Sequence, residues 1–249
     1  MTSSTRVIIL AAGKGTRMKS ELPKVLHPLA GRPLIDYAIA GTRELDPERI
    51  VLVVGHGAEQ VRAHCGSDVS SVLQEPQLGT GHAVQQALPH IAGFDGDVVI
   101  TYGDMPLLAG ATLARLRDAR RAAGCACTLL TAQRVPPPAF GRIVRDAGGR
   151  FACIVEDRDC TAEQRRITEV NLGVYCCLAA PLVKALGQLR NHNAQGEYYL
   201  TDVTELMVAA GERVETVVLD DLEQTLGVNS VDDLAQAEHV LARRRADAG

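Results

Sequence analysis

The chain has no tryptophan, and aromatic residues make up 3% of its 249 positions, leaving little to stack on unpaired bases. It also lacks an excess of positive charge. A formal net charge of −4 excludes a broad electrostatic grip on DNA or RNA, so any phosphate site must be a local cluster of cations. No nucleic-acid partner is expected. Long apolar segments are missing too: the N-terminal run is interrupted by Gly and Lys and makes neither a secretory leader nor a membrane span. A cytoplasmic protein without a membrane partner is the expectation. The seven cysteines are an odd number and contain no C-x-x-C pair. Cys125 and Cys127 alternate as on one face of a strand, and Cys176 and Cys177 are adjacent. These read as small apolar core residues in a reducing compartment, not as a zinc or redox site.

What is present is the composition of a globular enzyme-sized chain. The apolar fraction is 46% and the charged fraction 22%, enough to bury one large α/β core or two smaller ones. In the first half, apolar runs at residues 7–11, 50–54, 71–73 and 98–102 read as strands. Between them, residues 33–44, 57–65 and 81–91 carry apolar positions spaced for one helix face, with Pro33 suited to a first turn. This alternation predicts βαβ crossovers and a mainly parallel sheet, whose ligands bind beyond the carboxyl ends of the strands. The second half reads differently. Strand-like runs at 151–155 and 170–178 flank a short polar stretch at 161–166, and Pro136-Pro137-Pro138 precedes Phe140-Gly141-Arg142. An inserted subdomain able to cover one side of a site is expected there. Residues 233–246 form a charged amphipathic helix ending in Arg243-Arg244-Arg245, read as a solvated helix end.

The most informative stretch is residues 8–26. An apolar run breaks at Ala12 into a loop carrying Gly13 and Gly15, followed by the cations Lys14, Arg17, Lys19 and Lys24. Glycines let backbone N–H groups close in on an anion, and the cations meet its charge. This is not a Walker A loop, since the fifth position after Gly13 is Met18 where glycine is required, and the dinucleotide fingerprint fails at the same residue. A tight turn with surface lysines would use the glycines, but it would not need Arg17 and Lys24 around them.

The string Leu10-Ala-Ala-Gly-x-Gly-x-Arg-Met18 with Pro23-Lys24 resembles the signature of the sugar-phosphate nucleotidylyltransferases, one shared with a cytidylyltransferase of isoprenoid synthesis. Later segments discriminate. Gln74, Leu78-Gly79-Thr80-Gly81-His82-Ala83, Tyr102-Gly103-Asp104, Phe140-Gly141-Arg142, Val155-Glu156, Asn171-x-Gly173, the stretch from Asn193 to Asp202 and Gly227-Val228-Asn229 follow in order. Together they resemble the N-acetylglucosamine-1-phosphate uridylyltransferases, specifically the N-terminal domain of the bifunctional bacterial family. The resemblance implies a Rossmann-like, glycosyltransferase-A-like fold: a mainly parallel sheet with flanking helices and an inserted sugar-binding subdomain. It implies a nucleotidylyltransferase domain over 1–229, with a nucleotide part at about 1–110 and a sugar part at 111–229, and a C-terminal helix at 230–249.

It also implies roles. Leu10, Ala11, Ala12, Gly13 and Gly15 would cradle the triphosphate, and Arg17 and Lys24 would neutralise charge on the phosphates in transfer. Gln74, with a donor and an acceptor, suits the edge of uracil. Gly79 and Thr80 open a helix whose free N–H groups would face the base and sugar, and Tyr102 and Gly103 lead into Asp104. His82, just inside that helix, reads as structural and not as a general base. Asp104 would be a Mg²⁺ ligand together with Asn229, Mg²⁺ commonly taking one or two protein oxygens; the competing reading makes Asp104 a cap for a helix starting at Leu108. Gly141, Glu156 and Asn171 map to the sugar, with Tyr198, Tyr199, Thr201 and Asp202 supporting its wall.

The implied reaction is Mg²⁺-dependent uridylyl transfer from UTP to N-acetyl-α-D-glucosamine 1-phosphate, giving pyrophosphate and UDP-N-acetylglucosamine, a precursor of peptidoglycan and lipopolysaccharide. Two alternatives stay open: a uridylyl- or thymidylyltransferase for another amino-sugar 1-phosphate, and a non-catalytic sugar-nucleotide sensor. A purely structural domain would leave the polar loop residues unexplained. The chain departs from the family at Phe140 where Tyr is frequent, at Leu172 where Thr is usual and at Arg158 where Lys is usual, which bears on sugar selectivity. The family continues into a left-handed β-helix that acetylates and trimerises. Such a domain is not expected in this sequence, nor are acetyltransferase activity and the trimer contact, and oligomeric state is left open.

Overall fold

The first strand, β1 (Thr5–Ala11), is apolar from Val7 to Ala11 because it is covered on both faces. Alternation sends Ile8 and Leu10 into one core and Val7, Ile9 and Ala11 into the other. The same split recurs over residues 50–54 of β4 (Arg49–Val54) and 98–100 of β6 (Asp97–Tyr102), where each apolar run has two buried faces. The computed structural model describes residues 4–247, so residues 1–3 and 248–249 of the expected domain and C-terminal segment lie outside the described residues.

A small ribbon of β2 (Pro28–Leu29) and β3 (Arg32–Pro33) follows the glycine loop, then α1 (Leu34–Arg43). Next come β4, α2 (Ala58–Cys65), β5 (Ser70–Leu73), α3 (Thr80–Gln86), β6, α4 (Gly110–Ala123) and β7 (Cys127–Gln133). A hairpin of β8 (Arg142–Arg145) and β9 (Phe151–Val155) leads to β10 (Glu169–Leu178), α5 (Ala179–Leu186), α6 (Asp202–Ala209), β11 (Val214–Val218) and α7 (Val231–Asp247). One nine-stranded sheet runs β11-β7-β10-β6-β1-β4-β5, with β8 joining β10 and β9. Its path is parallel except at β10, which runs antiparallel to both β6 and β7. The fold is the α/β nucleotidyltransferase arrangement expected, with β10 as the reversed strand.

Helices α1, α2 and α4 cover one face, through Ile35, Ile39, Val61, Leu113 and Leu116. On the other face lie α3, α5 and α6, through Val84, Leu182, Leu186, Val203 and Met207, with Phe151 and Ile154 of the hairpin. Full burial of one such side chain contributes about 1.5–3 kcal/mol. A third cluster pins α7 to the molecule: Val228, Ala237 and Val240 pack on Leu29, Leu34 and Leu107. Cys125, Cys127, Cys160, Cys176 and Cys177 are buried and unbridged, as small core residues. No helix among the described residues is long and apolar enough to cross a membrane.

Three sequence expectations need correction. The helix expected over 81–91 ends at Gln86 and gives way to a 3₁₀ turn, Leu88–His90, because Pro89 carries no amide hydrogen and disfavours α geometry before it. Pro33 caps α1 with extended ψ (144°) and stands outside its first turn. The helix after Asp104 begins at Gly110 with Ala109 as its cap, so the capping alternative for Asp104 does not hold.

Candidate active site

Parallel pairing of β1 and β6 sets the glycine loop beside the Gly103-Asp104 turn, and the Gly103 N–H donates to the Leu10 carbonyl (2.9 Å). Gly15 sits in the left-handed region (φ 60°), and a Cβ there would lie 2.7 Å from Lys24 Cβ. The loop thus packs on the Lys24 stem and aims its ammonium inward. Lys24 opens a 3₁₀ turn (Lys24–Leu26) after Pro23, and its Nζ forms an ion pair with Asp104 Oδ2 and donates to Asn229 Oδ1 (2.9 Å). The lysine and aspartate side chains are 12% and 16% exposed, so this is an interior pair and not a surface one.

Asn229 is held from three sides. The Val228 N–H donates to the Asp104 carbonyl (2.8 Å), the Asn229 N–H to Asp233 Oδ2 (3.0 Å), and Asn229 Nδ2 to the Gly227 carbonyl (3.2 Å). With its amide nitrogen so engaged, the oxygen is left to accept from Lys24 Nζ. Two hard oxygen donors therefore converge on one point, and a cation, the Lys24 ammonium, stands between them. That is the donor chemistry a divalent ion such as Mg²⁺ requires when substrate phosphates and water complete its shell. Among the described residues no group of three His, Cys, Asp or Glu side chains forms a fuller cage.

Two lobes of one cleft meet here. The smaller, about 480 Å³, is lined by Leu10, Ala11, Ala12, Gly13 and Lys24, and across from them by Gln74, Gly79 and Glu197. The larger, about 920 Å³, is lined by Arg17, Gly141, Glu156, Asn171, Thr201 and Asn229 among others. Thr80, Tyr102 and Asp104 line both. The fold thus brings together nearly all residues singled out in the sequence. Gly15, Gly103, Tyr198, Tyr199 and Asp202 line neither lobe; Gly15 supports Lys24, and Gly103 fits against Val25 and Ile35. Arg17 is exposed on the 3₁₀ turn Thr16–Met18 and forms no ion pair among the described residues.

The turn before α3 differs from expectation. Gly79 has φ 108°, and a Cβ there would lie 2.6 Å from the Tyr198 carbonyl oxygen, so only glycine fits. That carbonyl also accepts from the Gly81 N–H (2.8 Å), so this amide of the first turn is not free for a ligand. Gln74 is 3% exposed. Its Nε2 donates to the Gly79 carbonyl (2.9 Å) and lies 3.3 Å from His82 Nδ1. His82 lines neither lobe, and burial lowers its pKa, in keeping with a structural histidine.

On the other side, Asn171 accepts the Gly173 N–H (3.0 Å) and donates to the Tyr175 hydroxyl (2.8 Å) across a bulge in β10. Half of its hydrogen-bonding capacity is therefore local. Glu156 accepts from Thr201 Oγ1 (3.0 Å), while burial, opposed by that bond, raises its pKa, with Asp159 and Asp157 adding to the rise. Burial likewise lifts Asp202 to about 6, helped by Glu205, Glu156 and Asp159. Tyr199 donates to Asp159 Oδ2 (3.2 Å). Burial, then Asp104 and Glu156, push the Tyr102 phenol above its usual range.

Sequence reasoning missed several lining residues. Tyr175, Val135, Gln236 and Val240 all face the larger lobe. Tyr175 shares the two-residue spacing of Asn171 and Gly173, a strand-face signal available in the sequence. Gln236 and Val240 carried none, because α7 reads as an ordinary amphipathic helix.

The family model for the MobA-like NTP transferase domain matches residues 7–207. Among curated proteins, the bifunctional protein GlmU of Paraburkholderia phymatum is 52% identical over 242 residues, covering 97% of this chain and 53% of that protein. Proteins of the same name from Burkholderia ambifaria and Burkholderia multivorans are 51% and 50% identical over 243 residues, with the same coverage. The chain spans about half the length of the curated relatives it matches.

Proposed function

The chain belongs to the MobA-like NTP transferase family, and on that premise we propose that it transfers a uridylyl group from UTP to N-acetyl-α-D-glucosamine 1-phosphate, releasing pyrophosphate. The observation that carries the reading is the convergence of Lys24, Asp104 and Asn229 where the two lobes meet. A phosphate bridging the lobes passes this point. Similarity to proteins named GlmU over nearly the whole chain supports the choice of substrates.

The smaller lobe takes the nucleoside triphosphate: Gln74 meets the base and the glycine loop the phosphates. The larger takes the amino sugar, with Glu156 and Asn171 as its hydrogen-bonding groups. A sugar-phosphate oxygen attacks the α-phosphorus in line, opposite the leaving pyrophosphate. That oxygen is already ionised at neutral pH, so no general base is needed. Lys24 and Arg17 hold the phosphates and offset the charge that grows on them. Asp104 and Asn229 would hold a Mg²⁺ ion, which when bound adds charge neutralisation at the same phosphates.

A panel of UTP, CTP and dTTP against several amino-sugar 1-phosphates, read by pyrophosphate release, tests this reading. UTP with N-acetylglucosamine 1-phosphate should turn over fastest, and chelation of divalent metal should stop it. Binding of UDP-N-acetylglucosamine without any turnover would replace the reading with a sensor.

A further inference from the structure

Two carboxylates line the smaller lobe, and they differ in company. Asp104 is ion-paired with Lys24, whereas the Glu197 side chain forms no hydrogen bond or ion pair among the described residues. The Glu197 backbone, by contrast, is tied down. Its N–H donates to Asn193 Oδ1 (3.2 Å), its carbonyl accepts from Asn193 Nδ2 (2.6 Å), and the next N–H, of Tyr198, donates to the Leu78 carbonyl (2.8 Å). The stem packs on the turn before α3, since a Cβ on Gly79 would lie 2.9 Å from Glu197 Cβ. A fixed, partly buried carboxylate thus lines the lobe beside Gly79, with Lys14 and Lys24 both outside ion-pairing distance.

We infer that Glu197 reads the ribose of the nucleotide: its carboxylate accepts from the 2′- and 3′-hydroxyls, so the site selects ribonucleotides over deoxyribonucleotides. This role rests on the reading of the smaller lobe as a nucleotide site and adds to it how the nucleotide's own sugar is chosen. A carboxylate accepts and does not donate, so its partner on the ligand must bring hydrogens. The triphosphate brings none, and like charge repels it from Glu197 towards Lys14 and Lys24. Uracil brings one ring N–H, but it is flanked by two carbonyl oxygens that a carboxylate also repels. The ribose diol sets two hydroxyl donors side by side, matching the two oxygens of one carboxylate, and hydrogen bonds to a charged acceptor are the strong ones. A deoxyribonucleotide brings one of these donors, and the second carboxylate oxygen gives up water for nothing.

Calorimetric binding of UTP, 2′-deoxy-UTP and 3′-deoxy-UTP to the wild type and Glu197→Ala tests this role, with thermal melting as the fold control. The wild type should bind UTP about tenfold more tightly than either deoxy analogue. Glu197→Ala should bind all three within about threefold of one another, the loss falling mainly on UTP. Its melting temperature should move little, because the carboxylate has no partner within the protein. Steady-state rates should show KM for UTP rising in Glu197→Ala, with kcat and KM for the sugar phosphate unchanged. A wild type that binds UTP and its deoxy analogues equally would overturn the inference. So would an undiminished preference for UTP in Glu197→Ala, or an equal change for all three nucleotides. A wild type that binds none of the three would overturn the nucleotide-site reading and this role with it.

Discussion

At the scale of single residues, Lys24 and Asp104 depend on one another. Lys24→Ala leaves Asp104 and Asn229 without their cation, and Asp104→Ala leaves the ammonium facing one amide oxygen. Either change should lower kcat about a hundredfold or more, since each removes charge placed where charge develops. Melting temperature should fall as well, because each change leaves a largely buried charge without its partner, so kcat is compared at a temperature where both proteins are folded. Gly79→Ala fails differently. The added methyl meets the Tyr198 carbonyl oxygen in a backbone region that disfavours side chains, a penalty of about 2 kcal/mol or more. It should lower melting temperature and raise KM for UTP together. Asp202 titrates near pH 6 in the folded protein against an ordinary 3.8. The folded state thus holds the proton longer than the unfolded chain, so ionisation costs stability between about pH 4 and 6, and the full penalty persists above. Asp202→Asn should be more stable than the wild type at pH 7.5. The gain is at most about 1 kcal/mol because the carboxyl is only partly buried, and the gap should close as the pH falls towards 4.

At the scale of elements, the ends of strands opposite the cleft are fastened by a buried charge. Asp97, fully buried at the start of β6, pairs with Arg120 and with Arg121 Nε (2.6 Å) from the last turn of α4, and its N–H donates to the Ser4 carbonyl (2.9 Å). Asp97→Ala would strand two guanidinium groups and should destabilise by about 3–5 kcal/mol, measured by denaturant unfolding. Because β1 and β6 carry the glycine loop and Asp104, partial loss of activity should track that unfolding. The strands β1, β4 and β6 were legible because two-faced burial demands unbroken apolar runs. The hairpin β8–β9 was only half seen, and β11 (VETVV) not at all, since short or half-exposed strands carry weak patterns. Pro89 was visible in the sequence, but the helix it ends was carried through it.

At the scale of the whole molecule, the identities of Lys24, Asp104 and Asn229 were readable from separate motifs, but their meeting was not. The lysine lies 80 positions from Asp104 and 205 from Asn229; the β1–β6 pairing closes the first distance, and the backbone bond from Val228 to Asp104 with the packing of α7 on Leu29 and Leu34 closes the second. The same holds for Gln74, whose type was legible while its orientation depends on the Gly79 carbonyl. Residues 111–229 read as the sugar-side part from sequence, and we keep that division as a proposal, since a single sheet continues through it. The central claim is that this cleft joins UTP to an amino-sugar 1-phosphate. Pyrophosphate release from UTP with N-acetylglucosamine 1-phosphate, for the wild type and Lys24→Ala side by side, tests it most directly. The account predicts rapid, metal-dependent release by the wild type and about a hundredfold less from a folded Lys24→Ala. Equal rates in the two proteins, or no release by a wild type that binds both substrates, would contradict it.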